Sequence, residues 1–161
     1  MRVADYLTEQ QVPFQSLTHA PAYCAHRRAK YLHTPGGAVA KAVLLATPTG
    51  FVLVVVPATR QVDLSRFPGA RLANPDEIVR VFADCEYGAV SPFGNLYGLP
   101  TYLDESFTQE MWITVEAGTH TDAVRLSIQD FARLASCERG RFALAPSGLN
   151  HEEENSGINR M

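Results

Sequence analysis

An excess of positive charge is the first thing that this sequence lacks. Its 161 residues include 14 Lys and Arg against 17 Asp and Glu, so the formal net charge is -3. A long nucleic-acid groove that gains affinity by releasing counterions needs the opposite balance. The composition therefore argues against such a groove and leaves room only for a small local contact with nucleic acid.

Paired cysteines and long apolar runs are missing too. The three cysteines, Cys24, Cys85 and Cys137, include no short-spaced pair, which fits a reducing compartment better than a disulfide scaffold or a zinc site. The N-terminus carries no long apolar segment of the signal-peptide kind, and the run 51–56 is far too short to cross a bilayer. We therefore expect a soluble, cytoplasmic protein with no membrane partner.

The familiar catalytic motifs are absent as well. Ser91 precedes a proline and lies outside any Gly-x-Ser-x-Gly elbow, which argues against a serine nucleophile. His19, His26 and His33 recur every seven residues, but Pro21 breaks the helix that would align them, so we expect no zinc site. No glycine-rich phosphate loop follows a strand, which sets aside nucleotide hydrolysis by that route.

Cys85 is a poor candidate for a nucleophile. Its neighbours Asp84 and Glu86 are acidic, and negative charge raises the pKa of a thiol instead of activating it. We expect Cys85 to serve packing, and we expect the protein to use neither a metal nor a cofactor.

The length and the hydropathy pattern predict one domain. A chain of 161 residues with 46% hydrophobic content is long enough to bury about 70% of its unfolded surface. We place the domain at residues 1–144 and a polar C-terminal tail at 145–161. The pattern predicts helices over 3–11, 23–32, 63–67, 75–82 and 127–135, strands over 14–18, 38–46, 51–56, 101–103, 112–115 and 123–126, and a long loop over 88–100.

What the sequence does contain is one conspicuous lysine. Lys41 is the only charged residue between Thr34 and Thr59, and it lies inside an apolar, strand-like run. Such a lysine reaches solvent along its own stem, pairs with a carboxylate, or lies in a cleft that meets an anionic ligand. A lysine at the edge of a sheet, where it guards against strand pairing, is the simplest structural alternative.

Three further segments carry turn chemistry. They are Gly36-Gly37 before the lysine, Ser91-Pro92-Phe93-Gly94 in the long loop, and Gly118-Thr119-His120 before a capped helix. Each has a plain structural interpretation: a loop, a phenylalanine that fills the core, and a turn histidine. Their combination with Lys41 is more informative than any one of them.

In order along the chain, five segments resemble the YbaK/prolyl-tRNA-synthetase-associated domain family. They cover nearly the whole chain up to about Leu144, and they are Ala40-Lys41-Ala42-Val43-Leu44, Tyr87-Gly88-Ala89-Val90-Ser91-Pro92-Phe93-Gly94, Leu99-Pro100-Thr101-Tyr102-Leu103-Asp104, Ala117-Gly118-Thr119-His120 and Asp130-Phe131-Ala132-Arg133-Leu134. Each segment alone is of low specificity, but their shared order and spacing make the resemblance specific.

The resemblance implies a single α/β domain around a curved mixed sheet. It also implies a free-standing aminoacyl-tRNA deacylase that edits in trans by hydrolysing the ester of misacylated tRNA. Lys41 matches the family's essential lysine, which holds the 3′ end of the tRNA or its ester. Backbone groups of Gly118 and Thr119 would polarise the ester carbonyl, His120 would position substrate, and no side-chain nucleophile is expected.

The resemblance also assigns residues to substrate binding. Ser91, Pro92, Phe93 and Gly94 would shape the amino-acid pocket, while the glycine turn Gly36-Gly37 would help to align water. A basic stretch before Lys41 would contact phosphates of the acceptor end, with a solvated helix face as the alternative; it comprises His26, Arg27, Arg28, Lys30 and His33. A synthetase partner would be met only transiently and in trans.

Two other classes of function stay open at this point. A non-catalytic module would hold a tRNA end or a nucleotide in the same cleft and hydrolyse nothing. A structural or interaction domain would use Lys41 only to guard a sheet edge. The amino acid, the tRNA and the oligomeric state cannot be chosen from these residues.

Overall fold

The computed structural model describes residues 2–18, 38–109 and 111–145. The predicted helix over 23–32, the basic stretch, the Gly36-Gly37 turn and most of the C-terminal tail lie outside these ranges.

Within the described residues, eight strands form two hydrogen-bonded sheets. One sheet has the order β1-β7-β6 and the other has the order β4-β2-β3-β5-β8. The strands are β1 (Gln15–Thr18), β2 (Ala40–Thr47), β3 (Gly50–Pro57), β4 (Arg71–Leu72), β5 (Thr101–Asp104), β6 (Trp112–Glu116), β7 (Asp122–Ser127) and β8 (Glu138–Gly140). Strand β5 pairs in parallel with β3 and β8, and the other pairings within the sheets are antiparallel.

In the part of the chain that the structure describes, one isolated bridge joins the two sheets. Val39 pairs in parallel with Thr114 of β6, and the next residue, Ala40, begins β2 in the five-stranded sheet. The predicted mixed α/β fold is therefore confirmed, with the curved sheet divided into three and five strands about this bridge.

Three helices have the starts that the sequence predicts. They are α1 (Val3–Glu9), α2 (Pro75–Val81) and α3 (Ile128–Ala135). The Asn74 side chain accepts from the Glu77 backbone N–H while the Glu77 carboxylate accepts from the Asn74 N–H, which completes a capping box before α2. The Ser127 hydroxyl caps α3 by accepting from the Asp130 N–H at 3.1 Å.

The predicted short helix over 63–67 and the predicted long loop contain 3₁₀ turns. These turns are Leu64–Arg66 and Gly94–Tyr97. The two short strands β4 and β8 were not predicted, because two or three residues hold too little alternation to be recognised.

The β2–β3 hairpin is the centre of the larger sheet. Its register runs from Ala40 opposite Pro57 to Thr47 opposite Gly50, and both strands have neighbours on their outer sides. This confirms the central position that its apolar run predicts. One face of the hairpin packs into the main core and the other into a second cluster that includes Leu45, Val54, Val56 and Phe67.

The main core lies between the two sheets and the helices α1 and α3. Its largest side chains are completely buried, and they include Leu7, Phe93, Phe107, Ile113, Leu126 and Phe131. Burying each such side chain contributes about 1.5–3 kcal/mol. This core fixes the loop that contains Phe93 against α1 and α3, and the loop in turn forms one wall of the cavity described next.

Candidate active site

Ser91, Gly118 and Thr119, three of the residues that the sequence singles out, line one cavity. The cavity has a volume of about 290 Å³, and its wall includes Arg2, Asp84, Ser91, Tyr97, Gly118 and Thr119. Gly118 and Thr119 come from the turn between β6 and β7, whereas Ser91 comes from the loop before β5. The fold thus brings together two segments that are far apart in the sequence.

The turn after β6 requires the backbone freedom of glycine. Gly118 has φ +97°, a conformation that side chains with a Cβ rarely adopt. The Thr119 hydroxyl donates to Asp122 Oδ2 at 2.6 Å and accepts from the backbone N–H groups of Thr121 and Asp122. The Thr119 side chain is therefore committed to holding the turn.

Two backbone donors of this turn are not used by the turn itself. Within the part of the chain that the structure describes, no protein group accepts a hydrogen bond from the N–H of Gly118 or of Thr119. Adjacent N–H groups in a glycine turn form a small anion-binding concavity. They are available to a carbonyl oxygen that gains negative charge.

His120 has a different environment from the two residues before it. Its backbone N–H donates to Glu86 Oε1 at 2.7 Å, and the Glu86 N–H donates to the Gly118 carbonyl at 2.8 Å. These bonds tie the turn to the segment after α2. His120 is half-buried. It comes directly after Thr119 in the chain and is not one of the described residues that line the cavity.

The Ser91–Gly94 segment is held by the core. Ser91 is buried, and its hydroxyl accepts from the Phe93 N–H at 3.2 Å. Phe93 packs edge-on against Tyr6 and Phe131, with ring centroids 5.4 Å and 4.9 Å away. The structural interpretation of Phe93 as a core residue is correct, so it supports the cavity from behind and does not line the described wall.

Gly94 is needed for close packing. A Cβ at this position would meet the Thr101 hydroxyl at less than van der Waals distance and would press on Leu53 and Leu99. Gly94 and Phe93 thus fix the path of the loop, and Ser91 is the member of the segment that reaches the wall.

Lys41 lies near the start of β2. Val39, two residues before it, pairs in parallel with Thr114 of β6, and β6 ends at Glu116, two residues before Gly118. Lys41 is half-buried and lies opposite Val56 in the hairpin. On its other side β2 pairs with β4 only at Leu45 and Ala46, and the bridge to β6 is at Val39, so these pairings do not distinguish a lysine in a cleft from one that guards an edge.

Lys41 and the cavity occupy different positions in the structure. Lys41 shares its strand face with Val43 and Leu45, whereas Ala40 faces the main core. Among the described residues, Lys41 is not part of the cavity wall. The structure therefore places Lys41 on the strand face of the second cluster, and its contact with a ligand in the cavity is a prediction.

Asp84 and Tyr97 are wall residues that the sequence did not indicate. The Tyr97 hydroxyl donates to Asp84 Oδ1 at 2.7 Å and lies 3.4 Å from Cys85 Sγ. Tyr97 lies inside the long loop and Asp84 lies before it, so only the folding of that loop brings them together. No sequence pattern links these two positions.

The pKa of Cys85 moves in the predicted direction for a different main reason. Burial is the largest cause that raises the pKa of this thiol, and the Asp84 carboxylate adds to it. The prediction that Cys85 is no activated nucleophile therefore agrees with its surroundings, although burial outweighs the acidic neighbours on which that prediction rested.

Comparison with known proteins decides the family. The sequence model of the aminoacyl-tRNA editing domain matches residues 19–134, which is more than half of the chain. This chain belongs to that family. The match includes Lys41, the loop with Ser91 and the Gly118 turn, so the predicted family resemblance is confirmed.

Solved structures show that the fold of this editing domain recurs at low sequence identity. A protein described as hypothetical superimposes with a TM-score of 0.77 at 15% identity, over 88% of this chain and 99% of its own. A protein proposed to be a trans-editing enzyme for prolyl-tRNA synthetase superimposes with a TM-score of 0.70 at 21% identity, over 82% and 87%. No curated protein sequence matches the chain.

Some predicted residues of the editing domain lie outside the described ranges. They are Gly36, Gly37, Arg28 and His33, together with His26, Arg27 and Lys30. Their proposed contacts with the tRNA end stay predictions.

The described part of the editing domain shows neither a metal-binding cluster nor a membrane-spanning helix. Over residues 2–18, 38–109 and 111–145, no group of three or more His, Cys, Asp or Glu side chains is arranged to hold a metal ion. Among the helices of these same ranges, none has the length and apolar character needed to span a bilayer.

Proposed function

We propose that this editing domain is a free-standing aminoacyl-tRNA deacylase that removes the amino acid from misacylated tRNA in trans. The observation that carries the proposal is the meeting of Ser91, Gly118 and Thr119 on one cavity. Membership of the aminoacyl-tRNA editing domain family supports an editing role.

The proposed chemistry is ester hydrolysis by water. The oxygen of a water molecule attacks the ester carbonyl carbon, the bond to the ribose oxygen breaks, and that oxygen receives the proton that the water gives up. The carbonyl oxygen gains negative charge in the transition state. The N–H groups of Gly118 and Thr119 are placed in one turn and are available to stabilise that charge.

Lys41 would supply the positive charge of the site. The ribose 3′ end lies next to a phosphate, and a half-buried ammonium binds such an anion more strongly than an exposed one does. We propose that Lys41 holds this end so that the ester reaches the Gly118 turn. His120 would position substrate, since its backbone already connects the turn to Glu86.

A small hydrolytic cavity also fits the error to be corrected. A synthetase distinguishes amino acids that differ by one methylene by only about 10- to 200-fold through packing. A second site that admits the smaller product and hydrolyses it removes the error. A cavity of about 290 Å³ is at the lower end of the usual size for ligand sites, which suits a small aminoacyl group.

The partner in this proposal is the acceptor end of a misacylated tRNA in the cytoplasm, with at most a transient contact with a synthetase. The net charge of -3 favours a contact limited to the end of the tRNA over a long groove. Neither a cofactor nor a metal takes part in the proposed chemistry.

The test is release of labelled amino acid from alanyl-, seryl-, threonyl- and cysteinyl-tRNA. Wild type is expected to hydrolyse one or two of these esters. The Lys41→Ala variant is expected to lose at least about 100-fold in kcat/KM, because the ester is no longer held against the turn. Arg80→Ala, which removes an exposed cation from α2, is the matched control and should hydrolyse at the wild-type rate.

Folding must be separated from catalysis in this test. Lys41→Met keeps most of the alkyl stem and removes the ammonium, so a variant that urea unfolding shows to be folded should still be inactive. Equal rates for wild type and folded Lys41→Met would contradict the role of Lys41. A folded wild type that hydrolyses none of the esters would overturn the deacylase and favour a module that only binds.

A further inference from the structure

An exposed aromatic side chain lies beside the cavity at Gly118, and the proposed ester chemistry does not use it. This side chain is Tyr87, which is 53% exposed. Cys85 and Ser91 both line the cavity, so the residues 86–90 between them run along its rim. Tyr87 is therefore a residue of the rim and not of the wall.

Hydrogen bonds fix the backbone on both sides of Tyr87. Before it, the Glu86 N–H donates to the Gly118 carbonyl at 2.8 Å, and Glu86 Oε1 accepts from the His120 N–H at 2.7 Å. After it, the N–H of the completely buried Ala89 donates to the Glu86 carbonyl at 3.0 Å, which closes a turn with Tyr87 in its second position. The Tyr87 backbone is thus held beside the Gly118 turn while its side chain is exposed.

Tyr87 differs from the other tyrosines that the structure describes. The Tyr6 and Tyr97 hydroxyls donate hydrogen bonds, and the Tyr102 ring packs on Phe67. Within the described part of the chain, the Tyr87 hydroxyl makes no hydrogen bond and its ring packs on no other ring. Internal contacts of this kind therefore do not explain an aromatic residue at this position.

The charges near the rim favour an uncharged part of a ligand. Asp84 and Glu86 come shortly before Tyr87, and the guanidinium of Arg2 on the cavity wall offsets only one of these two carboxylates. A phosphate group needs an excess of positive charge. A nucleobase is uncharged at neutral pH and stacks on aromatic side chains, which is a common way in which proteins bind single-stranded RNA.

The proposed substrate has a nucleobase next to its ester. In an aminoacyl-tRNA the amino acid is esterified to the ribose of the 3′-terminal adenosine, which is single-stranded. The cavity of about 290 Å³ suits a small aminoacyl group, so the adenosine would lie at its opening. Among the large apolar side chains that are exposed in the described residues, Tyr87 alone directly follows a residue that is hydrogen-bonded to Gly118.

We propose that Tyr87 binds the 3′-terminal adenine of the tRNA by stacking. This inference rests on the proposed deacylase function for the identity of the ligand, and it adds a binding residue outside the cavity. The stacked base would hold the ribose at the opening, so that the ester enters toward the N–H groups of Gly118 and Thr119. Tyr87 would take no part in the chemical step.

The first test measures binding without hydrolysis. The probes are the tRNAs of the hydrolysis test without their amino acid, and the same tRNAs with a 3′-terminal ribose that carries no base. Wild type is expected to bind the complete tRNA about 5- to 150-fold more tightly, the range for stacking of one base. Tyr87→Phe keeps the ring and should keep this preference, whereas Tyr87→Leu should lose it.

The second test uses an aminoacyl ester that wild type hydrolyses. Tyr87→Leu should lower kcat/KM by about the same factor, mainly through a higher KM, because the groups of the cavity are unchanged. Tyr87→Phe should resemble wild type. Trp112→Leu is the matched control, since it removes an exposed aromatic ring from β6, and it should keep the wild-type KM. Urea unfolding shows which variants are folded, and Tyr87→Gln, which also lacks a ring, replaces Tyr87→Leu if the latter does not fold.

The outcomes separate the two proposals. If wild type binds both forms of the tRNA equally, or binds neither, the stacking is overturned. It is also overturned if a folded Tyr87→Leu variant keeps the preference for the complete tRNA, or if Trp112→Leu loses as much as Tyr87→Leu does. Hydrolysis of an ester in any of these cases would leave the deacylase standing. A preference that depends on both the base and Tyr87, without hydrolysis of any ester, would overturn the deacylase alone.

Discussion

Asp84 and Asp104 lie on the walls of two different cavities of this editing domain, and the two carboxylates differ in how they are satisfied. The cleft beside Asp104 has a volume of about 590 Å³, twice that of the cavity beside Asp84. Asp104 is only 1% exposed. Its Oδ1 accepts from the backbone N–H groups of Phe142 and Ala143, each at 2.8 Å, and its Oδ2 accepts from the Ser106 N–H at 3.1 Å.

The difference shows that size alone does not locate a binding site. Three backbone donors use the Asp104 carboxylate to join the end of β5 to the segment after β8, so this charge serves the fold. Burial raises the pKa of Asp104, but its hydrogen bonds outweigh that effect and lower the pKa. Asp84 is exposed, and the Tyr97 hydroxyl donates to it, so a side chain holds this carboxylate instead of buried backbone N–H groups.

The largest predicted effect is the loss of stability when Asp104 is replaced. Asp104→Asn replaces an acceptor by a donor opposite backbone N–H groups, so we expect the free energy of unfolding to fall by about 3 kcal/mol. Asp84→Asn should change it by less than about 1 kcal/mol, because Asp84 is exposed. Urea unfolding of both variants measures the difference, and equal losses would show that the two aspartates are not distinct in role.

Much of this fold follows from local patterns. The β2–β3 hairpin is recognisable because its apolar run is interrupted by a proline and a glycine, and α2 because Asn74, Pro75 and Glu77 form its start. The bridge from Val39 to Thr114 is different, since a single pair across 75 residues leaves no periodic signal. The division of the sheet into two parts therefore could not be predicted.

The candidate site was predictable where turn chemistry reveals it. Gly118 and Thr119 form a turn that needs a positive φ, and Ser91 belongs to a loop rich in glycine and proline. Asp84 and Tyr97 could not be assigned, because their contact depends on how that loop closes. The burial of Phe93 depends likewise on Tyr6 of α1 and Phe131 of α3, which only the tertiary structure brings to it.

A smaller effect is predicted behind the wall of the Asp84 cavity. Gly94→Ala places a methyl group against the Thr101 hydroxyl and 3.3 Å from both Leu53 Cδ2 and Leu99 Cβ. We expect this overpacking to cost about 1–3 kcal/mol in the free energy of unfolding and to shift the loop that carries Ser91.

A double-mutant cycle identifies the cause of the Gly94→Ala effect. Thr101→Ala removes the hydroxyl that the new methyl group meets, so the double variant should lose less stability than the sum of the two single variants. Strict additivity would mean that the hydroxyl is not the obstacle, and it would assign the effect to the two leucines.

The smallest predicted effect concerns a third carboxylate, which is satisfied by a side chain on the surface. Arg71 donates to both oxygens of Glu77 at 2.8 and 2.9 Å, and this is the main reason why the pKa of Glu77 is lowered from 4.5 to about 2. A lowered pKa stabilises the folded state fully above the ordinary value, and the gain disappears as the pH falls through about 2. Glu77→Gln should therefore unfold at a lower urea concentration than wild type at pH 6, and the gap should close between pH 4.5 and pH 2. Asp76→Asn in the same turn of α2 is the control for loss of charge, and a gap of equal size for both variants at pH 6 would mean that the Arg71 pairing adds nothing to the effect of the helix start.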